Sequence, residues 1–292
     1  MQAQKRTNPW IRNNTSVLEI FDIPTRTRRT VCEFDNVIEA PNWSGDGKSL
    51  FYNRDGRMYR LDLATKAAQE IPSDFAIRCN NDHVLSPDGK RMAISHAAED
   101  GKSRIYTLPV NGGKPVLVTQ AGPSYLHGWS PDGTTLAYCA ERGGAYDIYT
   151  IPVEGGAETR LTCTPGLDDG PEYDPSGCHI WFNSSRSGLM QAWRMDADGG
   201  GQRQMTFDPA WNTWFPHVSP DGRLVVMIAY RKEDLKPEEH LPNLDVELRL
   251  MQAEGGAVET LCTLYGGQGT INVNSWSPDS SQFAFVSYRE KD

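Results

Sequence analysis

Three of the six histidines, His83, His127 and His217, fall at nearly one point of a motif that recurs along the chain, and Glu172 holds that point in a further copy. Imidazoles and a carboxylate brought together can ligate a divalent transition metal, manganese or zinc among them. Without a metal they bind polar groups or exchange protons near neutrality. Acidic and amide side chains crowd the same segments: Asp82, Asp168, Asp169, Asn272 and Asn274. They suit a cation, a basic partner or a small polar ligand. Trp211, Trp214 and Phe215 offer a flat surface for a sugar or peptide, or packing between neighbouring sheets. Strand geometry sets a condition on all of this. His83 and His127 stand three residues before the serine-equivalent position, whereas His217 and Glu172 stand two before. In a regular strand those positions face opposite ways. Convergence therefore requires a bulge or a shifted register; otherwise the histidines tie strands together by ordinary hydrogen bonds.

The elements that must position these residues are legible in the repeat itself. Its clearest copy reads His127-Gly128-Trp129-Ser130-Pro131-Asp132-Gly133. Echoes begin at Trp43, Leu85, Tyr173, Val218 and Trp276. Proline presets the second position of a type I turn, aspartate bonds the backbone two residues on, and glycine accepts positive φ. The turn aspartates are thus explained by structure, not chemistry. Each turn is followed by a β-rich run such as Leu224-Val225-Val226-Met227-Ile228, which reads as a strand. A third strand ending in a Gly-rich turn follows, as in Ile148-Tyr149-Thr150-Ile151-Pro152-Val153-Glu154-Gly155-Gly156, and then a short fourth. The serine-equivalent positions are 44, 86, 130, 174, 219 and 277, spaced by 42, 44, 44, 45 and 58. A period in the forties with four strands per unit marks a β-propeller blade, of which the WD40-like repeat is one kind. The expected fold is all-β: a six-bladed propeller of four-stranded antiparallel blades.

Five blades are expected at roughly 37–73, 81–120, 125–163, 169–206 and 213–263. Residues 1–15 read as a polar tail and 16–292 as one domain. Ser16 to Pro24 and Arg28 to Cys32 resemble a third and a fourth strand with no first or second before them, while Ile271 to Ser277 and Ser281 to Tyr288 supply a first and a second. The last blade is therefore expected to combine two N-terminal with two C-terminal strands, removing the open edges of the ring. The long interval of 58 places an insertion at Arg231 to Val246, a charged loop or a lid on the face of the blade connections.

A net charge of −9 argues against nucleic-acid backbones and anionic membrane surfaces as partners. Six scattered cysteines without a C-x-x-C pair read as small apolar fillers. The N-terminal residues lack the apolar segment of a secretory signal, and no run is long enough to insert in a membrane. The expected compartment is the cytoplasm, or the periplasm for a trimmed chain.

Repeats of Trp/His-Ser-Pro-Asp-Gly, then Leu-Ala-Tyr, then Asp-Ile-Tyr and a Gly-Gly turn resemble those of the TolB propeller family over nearly the whole chain. They are also similar to the propellers of prolyl oligopeptidases and oligogalacturonate lyases. The G-x-S-x-G pentapeptide of the peptidases' hydrolase domain does not occur here. The TolB resemblance implies a non-catalytic propeller that binds a protein, a peptide or a small polar ligand at the mouth of its channel. The lyase resemblance implies the alternative, a metal-dependent carbohydrate-active enzyme with the metal among His83, His127, His217 and Glu172.

Overall fold

The computed structural model describes residues 14–291. Most of the expected polar tail, residues 1–13, lies outside the described residues; Asn14 and Thr15 already belong to a strand. The chain opens on β1 (Asn14–Asp22) and β2 (Thr27–Phe34). Five four-stranded sheets follow in sequence. The first is β3 (Glu39–Trp43), β4 (Ser49–Arg54), β5 (Arg57–Asp62) and β6 (Ala68–Glu70). The second is β7 (Cys79–Leu85), β8 (Arg91–Ala97), β9 (Ser103–Pro109) and β10 (Val116–Leu117). The third is β11 (Ser124–Trp129), β12 (Thr135–Arg142), β13 (Ala145–Pro152) and β14 (Thr159–Arg160). The fourth is β15 (Asp168–Tyr173), β16 (His179–Ser184), β17 (Gln191–Asp196) and β18 (Arg203–Gln204). The fifth is β19 (Trp211–Val218), β20 (Leu224–Arg231), β21 (Leu244–Gln252) and β22 (Glu259–Gly266). Last comes β23 (Gln282–Glu290).

Each of the five sheets is a simple antiparallel meander, and β1 lies between β2 and β23 in the sixth. The fold is a six-bladed β-propeller closed by its two ends, as the repeat implies. No helix among the described residues is long and apolar enough to cross a membrane.

The recurring turn joins the first and second strands of each blade. In the third blade, Ser130 Oγ lies 2.5 Å from Asp132 Oδ1 and accepts from Thr135 N at 2.9 Å. Gly133 N closes the turn on the Ser130 carbonyl at 2.8 Å. Ser86/Asp88, Ser219/Asp221 and Ser277/Asp279 repeat the arrangement, while Asp174 and Ser176 exchange roles in the fourth blade. The alternating strands bury one another's apolar faces. Phe182, Tyr138, Tyr230 and Trp181 are among the side chains sealed between sheets.

The sixth blade departs from expectation in one respect. Its innermost segment, read as a strand over Ile271 to Ser277, runs beside β23 and is held by Ala284 N on the Ser275 carbonyl and Ser277 N on the Gln282 carbonyl, but only Trp276 opposite Phe283 forms a ladder pair. The reason is that its polar groups turn to other blades. Asn272 Nδ2 donates to Asp82 in the second blade, the Ile271 carbonyl receives His217 in the fifth, and the Asn274 carbonyl receives Asn42 in the first. The six cysteines are all free. Cys79 and Cys139 are buried fillers, but Cys163 and Cys178 are exposed, because they fall just past β14 and in the turn before β16.

Candidate functional site

The innermost strands decide where the candidate residues go, and each of the five complete blades carries a register shift there. Between Leu126 and Gly128, β11 advances two residues while its partner advances one, from Tyr138 to Ala137. His127 is the extra residue. Comparable shifts fall between Glu39 and Asn42, Cys79 and His83, Asp169 and Glu172, and Trp214 and His217. A bulge leaves one residue unpaired and re-aims it. Ala40 and Phe215 take positive φ at these points.

The bulges sort the histidines into three environments. His83 is paired opposite Ile94 and fully buried, with only backbone of Ala40, Phe51 and Asn81 to meet its ring nitrogens and no side-chain partner. Burial pushes its pKa down to about 4, so the ring is neutral. His217 is engaged at both nitrogens. Nδ1 lies 2.6 Å from Glu172 Oε2, and Nε2 donates to the Ile271 carbonyl at 2.7 Å. Glu172 Oε1 also accepts from Asn274 Nδ2 at 2.6 Å and from Val218 N at 3.2 Å. This network stitches the fourth, fifth and sixth blades. His127 turns into the tunnel mouth, where Nε2 stands 3.2 Å from Asp169 Oδ1.

The proposed quartet for manganese or zinc, His83, His127, His217 and Glu172, is therefore not one constellation. A sealed imidazole, a hydrogen-bonded pair and a tunnel-facing imidazole occupy separate places. Among the described residues no group of three or more His, Cys, Asp or Glu side chains is arranged to hold a metal ion.

What the structure does assemble is a cavity of about 720 Å³ at this mouth. Asp82, His127, Asp169 and Asn272 line it, as expected from their segments. Asp168 does not; both its oxygens bind Arg186 Nη2, at 3.0 and 2.8 Å, inside the fourth blade. Trp214 is buried core and Asn274 belongs to the stitching network, whereas Phe215 presents its ring to the cavity.

The sequence motif did not point to the residues on the insertion. The segment between β20 and β21 folds over the mouth, bringing Glu238 and His240 to the cavity. His240 packs edge-on against Trp214 at 4.4 Å and Phe215 at 5.4 Å, and its Nε2 stands 3.7 Å from Asp169 Oδ2. The signals available in sequence were the interval of 58 and the place of the insertion on the face of the blade connections. Leu235 anchors the loop in the core below.

The electrostatics of the mouth follow from crowding. Burial alone would raise the pKa of Asp169, but bonds from His127 and His240 outweigh it and hold the carboxylate ionised. Burial would likewise lower His127, yet the carboxylates of Asp169, Asp82 and Glu172 raise it. Asp82 is pushed upward, chiefly by burial, although Asn80 and Asn272 donate to it. Glu39, beside Asn81, is raised to about 7 by burial. Cys139 lines the cavity, but burial lifts its thiol far above the usual range, so it is no thiolate nucleophile.

The fold and the mouth together define a propeller with a roofed polar cavity on its axis. Comparison with known proteins places it further. Residues 126–246 match the family model described as TolB beta propeller domain. Atu1656, an uncharacterized protein of Agrobacterium fabrum, is 50% identical over 274 residues, covering 94% of this chain and 92% of that protein. A solved structure from Agrobacterium tumefaciens, provisionally named TolB, is similar with a TM-score of 0.91 at 49% identity, covering 94% of this chain and 99% of that one. The Tol-Pal system protein TolB of Francisella tularensis is 26% identical over 285 residues, and the match covers 94% of this chain but 62% of that protein's length. The chain belongs to the TolB-like propeller family.

Proposed function

We propose that this chain is a non-catalytic binding propeller that takes a small polar ligand, or a peptide segment of a partner protein, in the cavity beneath the 232–243 loop. The observation that carries this reading is the cavity itself. At about 720 Å³ it falls within the range of ligand pockets, and it combines aromatic walls with a few converging polar groups. Membership of the TolB-like family and the Tol-Pal name of one relative support a protein or peptide as occupant. The lyase alternative gains no comparable support. An acidic saccharide would meet Asp82, Asp169 and Glu238, with no lysine or arginine among the described lining residues to receive its carboxylate.

The test is thermal stabilisation by a panel of peptides and small polar compounds, because a ligand that binds only the folded chain raises the melting temperature. Ala145 lines the cavity at the start of β13 and is partly exposed, so Ala145→Trp narrows the mouth without entering the core. Ligands should stabilise the wild type and lose their effect on Ala145→Trp, whose melting temperature without ligand stays close to the wild-type value. Equal stabilisation of both proteins, or none of the wild type, would reject the cavity as the binding site.

A further inference from the structure

The chemistry of the cavity wall is one-sided, and this narrows the occupant. Three carboxylates, Asp82, Asp169 and Glu238, line it, and among the described residues no lysine or arginine does. His127 is the nearest counter-charge, and it is already taken up by Asp169. A second observation is independent of charge. Asn272 is 1% exposed, and its Nδ2 donates to Asp82 Oδ1 at 2.7 Å. That bond fixes the amide's orientation and leaves Oδ1 buried as an acceptor with no donor. A buried acceptor without a donor is costly, so this one calls for an N–H or O–H from an occupant. The third observation is aromatic. Tyr125 and Tyr146 line the cavity with ring centroids 6.4 Å apart, and Phe215 lines it too, with His127 stacked on its ring and His240 edge-on to it. Ring faces attract cations and accept alkyl stems.

An anion satisfies none of these groups. Asp169 is answered by His127 and His240, but a neutral ligand that satisfies the acceptor and the rings still leaves Asp82 and Glu238 without a cationic partner in the wall. A bare metal ion needs converging oxygens, yet Asp82 is bonded by Asn80 and Asn272, and Asp169 by His127 and Gly170 N. A cation that carries its own N–H donors on an apolar stem satisfies all three.

Resting on the binding role proposed above, we propose that the cavity is a recognition site for an organic cation, an alkylammonium or guanidinium group. Its stem lies against Tyr125 and Tyr146, and its N–H groups face Asn272 Oδ1 and the carboxylates of Asp82 and Glu238. Such a head group comes either from a free amine or from a lysine or arginine side chain of a partner. The raised pKa of Asp82 fits this reading, since a bound cation would replace the proton that burial favours there.

The experiment is calorimetry on the full chain with agmatine, cadaverine, an N-acetyl-lysine amide peptide, 1-pentanol, pentanoate and magnesium chloride. The cations should bind, and the alcohol and the carboxylate of similar length should bind at least tenfold more weakly. Preference for the free diamines over the peptide assigns the site to small amines, and the reverse assigns it to a basic segment of a partner. Tyr146 is partly exposed at the cavity edge, so its substitution leaves the core intact. Tyr146→Ala should weaken amine binding about tenfold or more, whereas Tyr146→Phe should keep it, because the ring and not the hydroxyl receives the cation. Binding of pentanoate or of magnesium in place of the amines, or amine binding unchanged in Tyr146→Ala, would overturn the proposal. If pentanoate or pentanol binds and Ala145→Trp abolishes it, the binding role stands and only the ligand class falls. If none of the probes binds, the ligand class falls, and the wider panel decides the binding role separately.

Discussion

At the scale of single residues, the three histidines of the repeat show how one sequence position acquires three physical roles. His83 and His127 both stand three residues before the serine of their turns, yet one is sealed and the other faces the tunnel. The difference lies in where the extra residue of each bulge falls. At His127 the bulge is the histidine itself; at His83 the extra residues precede it and the ring is returned to the ladder. Nothing local in the sequence marks that choice, because it depends on the register of the neighbouring strand. The sealed imidazole has a measurable consequence. Its folded pKa of about 4 lies below the unfolded reference of 6.5. As pH falls below 6.5 the unfolded chain takes up a proton that the native ring refuses. The stability tied to His83 is therefore full above that value and is lost as pH falls towards 4. Between about pH 7.5 and about pH 4.5 the loss is roughly 2–3 kcal/mol. Glu39 works the other way: its pKa, raised from 4.5 to about 7, makes its contribution full below 4.5 and removes it as pH climbs through 7. Comparing His83→Leu with the wild type isolates the histidine, because leucine stays buried and does not titrate, and any backbone contact of the ring is lost equally at both pH values. Urea unfolding at both pH values should show the wild type losing about 2–3 kcal/mol more than His83→Leu on acidification. Equal losses would mean that the ring is protonated in the native state.

At the scale of elements, the turn motif was legible because its chemistry is local. Serine, aspartate and glycine bond within six residues of one another, so the sequence contains every partner. Gly133 shows the requirement plainly. Its φ is +72°, and a Cβ there would approach nothing closer than Pro87 Cδ at 3.9 Å. Gly133→Ala therefore adds backbone strain without a clash. The expected cost is about 1–2 kcal/mol, the penalty of the left-handed region for a residue with a Cβ, read as a lower urea midpoint at unchanged slope. A cost near zero would show that the turn relaxes into another conformation. The insertion between β20 and β21 was legible as extra length and as a charged loop or lid on the face of the blade connections, but not residue by residue. Its place over the cavity comes from contacts made far along the chain, His240 on Trp214 and Phe215 and Leu235 in the core. Hydrophobic periodicity carries no information about such contacts, so Glu238 and His240 stayed outside the candidate site. The innermost segment of the sixth blade closes the ring as its composition implies, but it is a less regular strand than the other five. Its composition suits a strand, but Asn272 and Asn274 spend their amides on Asp82 and Glu172 across the tunnel.

At the scale of the whole molecule, the cavity exists only because the ring is shut, since its wall draws on the second, third, fourth and fifth blades and on Asn272 of the sixth. Closure rests on β1 and β23, which pair along their full length from Asn14 opposite Glu290 to Asp22 opposite Gln282. Phe283, Ala284, Phe285 and Val286 are fully buried, and Phe283 stacks on Phe21 at 5.5 Å between centroids. Burying such side chains is worth roughly 1.5–3 kcal/mol for each large one, so β23 supplies several kcal/mol before its ladder is considered. A domain's entire stability is about 5–15 kcal/mol. Deleting residues 282–292 should therefore abolish the cooperative transition rather than lower its midpoint. The exposed edge of β1 and the uncovered face of Phe21 should also drive association of the truncated chains. A synthetic peptide of residues 280–292 offers the same ladder in trans and should restore a cooperative transition together with ligand-dependent stabilisation, by adding back the missing strand. Thermal unfolding followed by circular dichroism, with light scattering alongside, distinguishes the outcomes. A truncated chain that still unfolds cooperatively at the wild-type temperature would show that five blades hold together without the seam, and that the joining of head to tail contributes little to the stability of the site it encloses.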